Sequence, residues 1–459
     1  MRSDAASGGR ISATAAAIAA MAALAGLLIG YNTAVIAPAL PFLSRHFQLS
    51  PSQEGVVVAA ILVGGFAGSL LAGGASRRWG GRRVLMGCAV LFGLGAGGAA
   101  LAGSVPVLTV WRLVLGLAVG AASAIAPLYV GETAPSRWRG ALVSAIQLAI
   151  TVGILLAYLA GTALTRSANW PAMLAVGGVP AILMLAGLAL LPESPRWLFH
   201  AGRREAALHA WQRIGAGDPW PPRAGEDAAA APAGDWRALF TPRLRPVLLL
   251  ATGLFAFANL SGIDAVLYYA PTIFAAVGFT GALGPILATS GTGAINVLAT
   301  LVAMALIDRL GRRRLLLLGL VPMTASLLAL ALALGLAGEG TARAAIALLC
   351  LGIFVTGFAI SLGPLPYVLM AEVFPQSVRG QGMGLAAAAA WGANIAVSAS
   401  FPPLLVHLGV GWTFALYGLV SAAAILFVLA MVPETRGRSL ERIEANLARG
   451  CRVRDLGAM

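Results

Sequence analysis

The feature that most constrains this chain is a series of twelve apolar runs, each long enough to cross a membrane as a helix. A transmembrane helix needs about 20 apolar residues to span about 30 Å of hydrocarbon. The chain is 59% hydrophobic and only 10% charged, whereas about 25% of the residues of a soluble domain are charged. We therefore predict an all-α membrane protein with twelve transmembrane helices. The runs lie at about residues 14–43, 54–76, 84–104, 107–131, 141–163, 170–191, 246–276, 282–307, 315–337, 343–371, 382–405 and 411–432.

The arginines predict the orientation of these helices. The 459-residue chain has a net charge of +14, and all 31 of its basic residues are arginines. Nearly all of them fall in loops on one side of the predicted spans, whereas Arg45, Arg166 and Arg343 fall on the other side and Arg112 lies within a span. Because positively charged loops stay in the cytoplasm, both termini and the central loop are predicted to be cytoplasmic. Charge spread over short loops also argues against a nucleic-acid-binding surface, which gathers charge on one soluble face.

The two halves of the sequence are similar to each other. The pattern Glu-x-x-Pro-x-x-x-Arg-Gly occurs at 132–140 and again at 372–380, and Pro-Glu occurs at 192–193 and again at 433–434. Motifs that recur in the same order at nearly one spacing indicate the duplication of a six-helix unit. Parallel six-helix repeats are the architecture of major facilitator transporters, with substrate bound between the halves near the midplane.

The repeat predicts the domain organisation. We expect an N-terminal six-helix bundle at 1–192, a cytoplasmic linker with short helices at 193–245, a C-terminal six-helix bundle at 246–432 and a cytoplasmic tail at 433–459. The sequence contains no histidine and cysteine cluster with metal-ligand spacing and no nucleophile elbow. We therefore expect neither an enzyme nor a bound cofactor.

Four segments resemble those of a known family. They are 30–36 (GYNTAVI), 192–198 (PESPRWL), 262–269 (GIDAVLYY) and 433–441 (PETRGRSLE). With these segments the chain resembles the sugar porter family of the major facilitator superfamily, of which the second and fourth are signatures. The resemblance implies a transporter that carries a sugar or sugar-like polyol by alternating access.

The resemblance also implies a cytoplasmic gate. In the family, charged residues at the cytoplasmic helix ends pair in one transport state and separate in the other, which biases the equilibrium between the states. The alternative is that the arginines only set topology and form surface salt bridges contributing about 0–1 kcal/mol each. The first-half loop departs from the pattern, because Arg77 stands where an acidic residue or Asn is expected. The implied gate residues are Glu132, Arg139, Glu193, Asp308, Arg309, Arg312, Glu372, Arg379 and Glu434.

Proton coupling depends on two positions. Proton-coupled sugar porters have an Asp on helix 1 opposite a buried Arg, and the matching residues here are Asn32 and Arg112. Because Asn cannot release a proton, the resemblance favours a facilitator or a symporter whose proton site has moved. Asp264 is the only acidic residue deep in a predicted span and stands where the family usually has a sugar-binding Asn. It is a candidate proton carrier, the alternative being an Asp paired permanently with a neighbour.

Binding a sugar requires amide groups, which both donate and accept hydrogen bonds, and aromatic faces that stack on the ring. Each candidate also has an alternative role in joining neighbouring helices. The family's Gln-Gln pair on helix 7 is replaced by Ala258-Asn259 and its helix 10 Trp by Tyr367, so a pentose, a polyol or another small polar metabolite remains open. The implied substrate-binding residues are Gln147, Asn259, Asp264, Asn296, Tyr367, Trp391 and Asn394.

The sequence thus predicts a transporter, with uniport and proton symport both open. A non-transporting membrane sugar sensor is the alternative from another class, against which the short tail after Val432 argues. The expected partners are a small sugar-like solute, protons if the protein is a symporter, and the lipid bilayer, with the monomer as the functional unit. An Ala- and Gly-rich composition with Arg but no Lys is typical of a GC-rich bacterial genome, which predicts the cell inner membrane.

Overall fold

The computed structural model describes residues 12–134, 136–215, 236–336, 341–375, 378–436 and 440–457, and these residues form helices and no strands. Within the described residues, eleven helical stretches are long and apolar enough to span a membrane. The last of them, Gln381–Met431, has 51 residues, or about 75 Å at 1.5 Å per residue. It is broken at Gly409, whose φ of 78° lies in the left-handed region. This stretch is therefore two spans, and the predicted twelve transmembrane helices are confirmed.

Six spans form the first repeat. The first and the sixth are each divided into two helices, and the other four are continuous. They are α1 (Ala13–Ala34) with α2 (Ile36–Phe47), α3 (Pro51–Trp79), α4 (Gly81–Ala100), α5 (Val105–Thr133), α6 (Ser136–Leu164), and α7 (Trp170–Ala175) with α8 (Gly178–Leu190).

The connecting segment contains α9 (Pro195–His200), α10 (Arg204–Ile214) and a 3-10 helix at Trp236–Phe240. Both α9 and α10 lie within the linker at 193–245, for which short helices are predicted. The second repeat contains α11 (Arg245–Leu260) with α12 (Ile263–Ala276), α13 (Leu283–Leu310), α14 (Arg312–Leu336), α15 (Thr341–Ile360) with α16 (Leu365–Val373), and α17 (Arg379–Met431), and is followed by α18 (Leu440–Ala448).

Both described ends of the chain lie on one side of the bundle. The Ser12 hydroxyl donates to the carbonyl oxygen of Ile214, at the end of α10. Arg243, at the other end of the same connecting segment, donates from Nε to the carbonyl oxygen of Leu447 at 3.0 Å. We call this the terminal side and the other the far side.

The loops that join α3 to α4 and α13 to α14 show the duplication in three dimensions. Each turns at a glycine with positive φ, Gly80 at 91° and Gly311 at 89°. A Cβ on Gly80 would lie 2.5 Å from the Glu193 carboxylate, and one on Gly311 would lie 2.7 Å from that of Glu434. Only glycine fits both the backbone conformation and the space. The Pro-Glu motif of each repeat therefore packs against the glycine turn of the same repeat.

Small residues allow close packing of the spans. A Cβ on Gly116 of α5 would overlap the carbonyl oxygen of Ile61 on α3, and a Cβ on Gly120 would overlap that of Gly65. Lipid tails are as apolar as leucine side chains, so packing of this kind supplies much of the attraction between membrane helices. The α3 and α5 backbones are in direct contact because these positions lack side chains.

The two repeats touch each other toward the far side. Gly55, near the start of α3, lies against the backbone of Ala399, to whose oxygen a Cβ would come within 2.6 Å. Tyr158 on α6 donates to the carbonyl oxygen of Leu267 at 2.7 Å, and the hydroxyls of Thr162 and Ser290 are 2.9 Å apart.

Toward the terminal side the face of α6 that meets the second repeat becomes accessible. Gln147 lies on the same face of α6 as Tyr158, three turns closer to the terminal side. Its side chain is exposed, whereas Tyr158 is fully buried against α12. A face of α6 that is closed at one level and accessible at the other lines a central space that opens toward the terminal side.

Candidate functional site

The central space is bordered by two breaks in the second repeat. The α11–α12 span is interrupted at Ser261 and Gly262, where Gly262 has a φ of 89° and packs against the Tyr417 ring. The α15–α16 span is interrupted between Ile360 and Leu365. Breaks of this kind place helix ends and polar groups at mid-membrane depth, where transporters bind their substrates.

Asp264 lies in the first turn of α12, directly after the first break. The positive end of the helix dipole favours a negative charge at this position. The carboxyl group is 7% exposed and interacts with the side chains of Asn394 and Tyr268. Its Oδ2 atom is buried without a hydrogen-bond partner, and no arginine among the described residues forms an ion pair with it. Asp264 is therefore a buried carboxyl group surrounded by neutral polar groups.

A short polar network continues from Asp264 along α17. The Asn394 amide nitrogen is 3.5 Å from the Tyr268 hydroxyl, and Ser398 donates to Asn394 Oδ1 at 3.1 Å. The hydroxyl of Tyr269, next along α12, donates to the Ser398 carbonyl oxygen at 2.8 Å. These contacts fix α12 against the first part of α17.

Aromatic side chains lie around the same region. Tyr367, in α16, is 54% exposed and packs edge-on against Phe255 with ring centroids 4.7 Å apart. Trp391, one turn before Asn394, places its indole against Gly65 of α3, where a Cβ would be 2.5 Å from the ring. The Tyr367 phenol is therefore exposed, whereas the Trp391 indole is packed against α3.

The predicted substrate-binding residues are thus distributed unevenly. Asp264 and Asn394 are close together, with Trp391 on the same face of α17 as Asn394. Gln147 is exposed on α6, and Asn259 donates to its own helix at the Phe255 carbonyl oxygen, 2.8 Å away. Asn296 is buried on α13 outside this hydrogen-bonded group.

Tyr268, Ser398 and Tyr417 were missed by the sequence reasoning. Tyr268 lies in the segment 262–269 that carries the family resemblance. Its position one helical turn after Asp264 already indicates that the two side chains share a helix face. Ser398 and Tyr417 come close only through the packing of α17, so the sequence gives no local sign of their position.

Asn32 and Arg112, the two residues expected to lie opposite each other as a coupling pair, form separate hydrogen bonds. Asn32 donates to the Leu28 carbonyl oxygen at 2.9 Å. Arg112 is fully buried and donates from Nε to the Val57 carbonyl oxygen at 2.7 Å, while both of its terminal nitrogens are buried without a partner. It interacts electrostatically with Tyr268 and Tyr269 of α12.

The predicted gate residues form two similar clusters on the terminal side. In the second repeat, Arg312 pairs with Glu372 at 2.8 Å and its backbone N–H donates to Glu434 at 3.0 Å. In the first repeat, Glu193 accepts from the backbone N–H of Arg82 at 2.9 Å.

The remaining predicted gate residues are described only in part. Glu132 interacts with Ser194 and Arg196, and Arg309 is exposed. The side chains of Arg139, Asp308 and Arg379 lie outside the described residues.

Twelve membrane spans in two repeats, with polar and aromatic side chains gathered at span breaks beside a central space, define a secondary transporter. Comparisons with known proteins identify the family. The family described as Sugar (and other) transporter matches residues 18–447. The chain belongs to this family, the sugar porters of the major facilitator superfamily, so the resemblance inferred from the four segments is confirmed and the protein is a transporter, not an enzyme.

Individual relatives cover nearly the whole chain. It is 39% identical to a D-xylose transporter from Levilactobacillus brevis over 93% of this chain and 94% of the relative. It is 39% identical to the galactose-proton symporter of Escherichia coli over 95% of both chains. A partially occluded inward-open structure of the xylose transporter XylE from E. coli is 32% identical, with a TM-score of 0.79 over 93% of this chain and all of the other.

Proposed function

We propose that this protein carries a monosaccharide together with a proton across the cell inner membrane, as a monomer with both termini in the cytoplasm. The observation that carries the proposal is Asp264, an unpaired carboxyl group at a span break that contacts the amide of Asn394. Relatives named as galactose-proton and arabinose-proton symporters, 39% and 36% identical, support coupling to protons.

The substrate site is proposed to lie between the repeats, at the level of Asp264 and Asn394. Amide and carboxyl groups there would satisfy sugar hydroxyls that have lost water, and Tyr367 and Trp391 would contact the ring. Gln147, Asn259 and Asn296 would extend the site along α6, α11 and α13. The names of the relatives, which include transporters of D-xylose, glucose and galactose, support a pentose or hexose.

Asp264 is proposed as the coupling residue because Asn32, at the helix 1 position, cannot ionise and release a proton. A proton on Asp264 neutralises the carboxyl group and supplies a hydrogen-bond donor next to the sugar. Proton and sugar would therefore bind at one place and move together. In the other reading, a facilitator, Asp264 would contact the sugar without exchanging a proton.

Alternating access is proposed to occur by movement of the bundle at 1–192 against the bundle at 246–432, with the linker at 193–245 and the tail at 433–459 on the cytoplasmic side. The closure at Gly55 and Ala399 and the accessible Gln147 support an inward-facing state. Opening the far side would require the gate clusters around Glu193 and Glu434 to approach each other.

The test is uptake of labelled pentoses, hexoses and polyols into proteoliposomes, with and without an inward proton gradient. It compares wild type with Asp264→Asn and with Glu205→Gln, which removes an exposed carboxylate on α10 as a control. We expect gradient-driven accumulation in wild type and the control. In Asp264→Asn, accumulation is expected to be lost while exchange of labelled for unlabelled sugar continues.

Equilibration without accumulation in wild type would show a facilitator and would remove the coupling role of Asp264. Gradient-driven accumulation that survives in Asp264→Asn would place the proton site elsewhere. Failure of every solute to equilibrate or exchange would contradict sugar transport itself.

A further inference from the structure

Tyrosines from three helices of the second repeat lie near Asp264. Tyr268 of α12, Tyr367 of α16 and Tyr417 of α17 each interact electrostatically with its carboxyl group. Asn394 adds an amide from α17. The Tyr417 ring is also held against Gly262, two residues before Asp264. The carboxyl group and the three tyrosines together are called the carboxylate cage.

The cage contains two polar atoms with unused hydrogen-bonding capacity. Asp264 Oδ2 and the Tyr417 hydroxyl are both buried without a hydrogen-bond partner among the described residues. No arginine among the described residues pairs with Asp264. A buried polar group without a partner is unfavourable, so the cage is incomplete until a donor occupies it.

The chemistry of the cage favours a positively charged donor. A carboxylate forms its strongest hydrogen bonds with a cationic group. A neutral amide at this position would satisfy sugar hydroxyls but would give no preference for a cation.

We propose that the carboxylate cage is a subsite for the ammonium group of an amino sugar or aminocyclitol. This inference rests on the proposed function, because the ammonium group takes the place that the proton occupies when the substrate is a neutral sugar. One positive charge then enters the site in either case. The substrate range therefore includes monosaccharides with a protonated primary amine, and their transport needs no accompanying proton.

The other charged groups near the carboxylate cage do not neutralise Asp264, so one positive charge still enters the site with the substrate. Arg112, from α5, interacts electrostatically with Tyr268. It forms no ion pair with the Asp264 carboxylate among the described residues. Glu54, from α3, interacts with Tyr269, on the far-side part of α12. Asp264 is therefore the group that meets the cation, while Asn394, Tyr367 and Tyr417 contribute neutral groups.

The first experiment measures selectivity in matched pairs. D-Glucosamine is compared with D-glucose, and D-galactosamine with D-galactose, as inhibitors and substrates in proteoliposomes at mildly acidic pH. We expect Asp264→Asn to weaken the amino sugar of each pair relative to its neutral partner by at least about tenfold, as for the loss of a charge-assisted hydrogen bond. Glu205→Gln, which removes an exposed carboxylate, is expected to leave the ratio unchanged.

The second experiment uses wild type alone, so it does not depend on how a variant folds. An inside-negative membrane potential without a pH gradient is expected to drive accumulation of the amino sugar, and a pH gradient without a potential is not. The neutral partner is expected to respond to both. Protein-free liposomes control for passive entry of the amine.

Three results would overturn the subsite. The first is that Asp264→Asn weakens both members of each pair equally. The second is that the pH gradient drives accumulation of the amino sugar as it does for the neutral sugar. The third is that wild type transports neutral sugars and does not bind amino sugars. The last leaves sugar transport itself intact. If wild type carries a pentose but no member of any pair, the subsite fails and the proposed function stands. If it carries no sugar at all, the proposed function fails first and the subsite fails with it.

Discussion

Arg112 shows how a single residue can be retained against its energetic cost. Its guanidinium is fully buried on α5, yet only Nε has a partner, the carbonyl oxygen of Val57. Removing a charged group from water costs several kcal/mol, which one carbonyl contact does not recover. The position next to Tyr268 and Tyr269 suits a role in the movement of α12. We infer that Arg112 contributes to transport more than to stability.

This balance predicts the result of Arg112→Met, which keeps an extended side chain and removes the charge. Replacing a buried ion pair with apolar residues is often neutral or stabilising by about 1–4 kcal/mol, and the terminal nitrogens of Arg112 have no partner among the described residues that their removal would leave unpaired. The thermal midpoint in detergent, followed by tryptophan fluorescence, is therefore expected to stay constant or rise. Sugar uptake is expected to fall at least about tenfold, a transition-state cost of about 1.4 kcal/mol. A clearly lower midpoint would show that Arg112 has stabilising contacts in the folded protein.

At the scale of the element, close contact between α3 and α5 depends on glycines that meet backbone atoms. Gly120 faces the Gly65 carbonyl group, and Gly116 faces that of Ile61. Gly93, on α4, has open space around the position of a Cβ. Glycine lowers helix stability relative to alanine by about 1 kcal/mol. Gly120 therefore stabilises the protein through close helix packing and not through helix propensity.

Gly120→Ala is expected to lower stability by about 1–3 kcal/mol, because the added methyl group forces the two helices apart. Gly93→Ala is the matched control, since the same chemical change there meets no neighbour and is expected to be neutral or slightly stabilising. Denaturation midpoints of both variants in the same detergent would check the difference. Equal midpoints would mean that the α3–α5 contact adjusts without cost.

At the scale of the whole molecule, closure of the far side depends on contact between the two repeats. Gly55 of the first repeat meets the backbone of Ala399 of the second. Tyr158 and Thr162 form hydrogen bonds across the same boundary, to Leu267 and Ser290. Packed interfaces have discrete arrangements and do not deform continuously. A side chain inserted here is therefore expected to shift the populations of the two transport states.

Gly55→Val is expected to prevent far-side closure and to hold the protein open on that side. Transport is expected to fall by about tenfold or more, while sugar binding from the far side persists, because only the closed state is penalised. Gly74→Val, on the same helix with open space around its Cβ position, is the control. Uptake and sugar-dependent quenching of tryptophan fluorescence, measured in both variants, test this. Loss of binding together with transport would indicate misfolding or a role in the site.

The sequence by itself determined the twelve spans, the duplication and the family. Span length is set by the thickness of the hydrocarbon, and it is visible as a local run of apolar residues. The repeated Pro-Glu and Glu-Pro-Arg-Gly patterns are local as well, and the match over 18–447 agrees with them. Asp264 could be singled out because an acidic residue in an apolar run is unfavourable wherever the run packs.

Only the tertiary structure decided what surrounds these residues. The neighbours of Asp264 come from α12, α16 and two parts of α17, and no spacing in the sequence places Asn394 and Tyr417 beside it. The incomplete hydrogen bonding of Arg112 and the contact of Gly55 with Ala399 also depend on how separate spans pack. Helix packing in a membrane is selected by shape and by a few polar contacts between distant segments, so it is a property of the assembled bundle and not of any one segment.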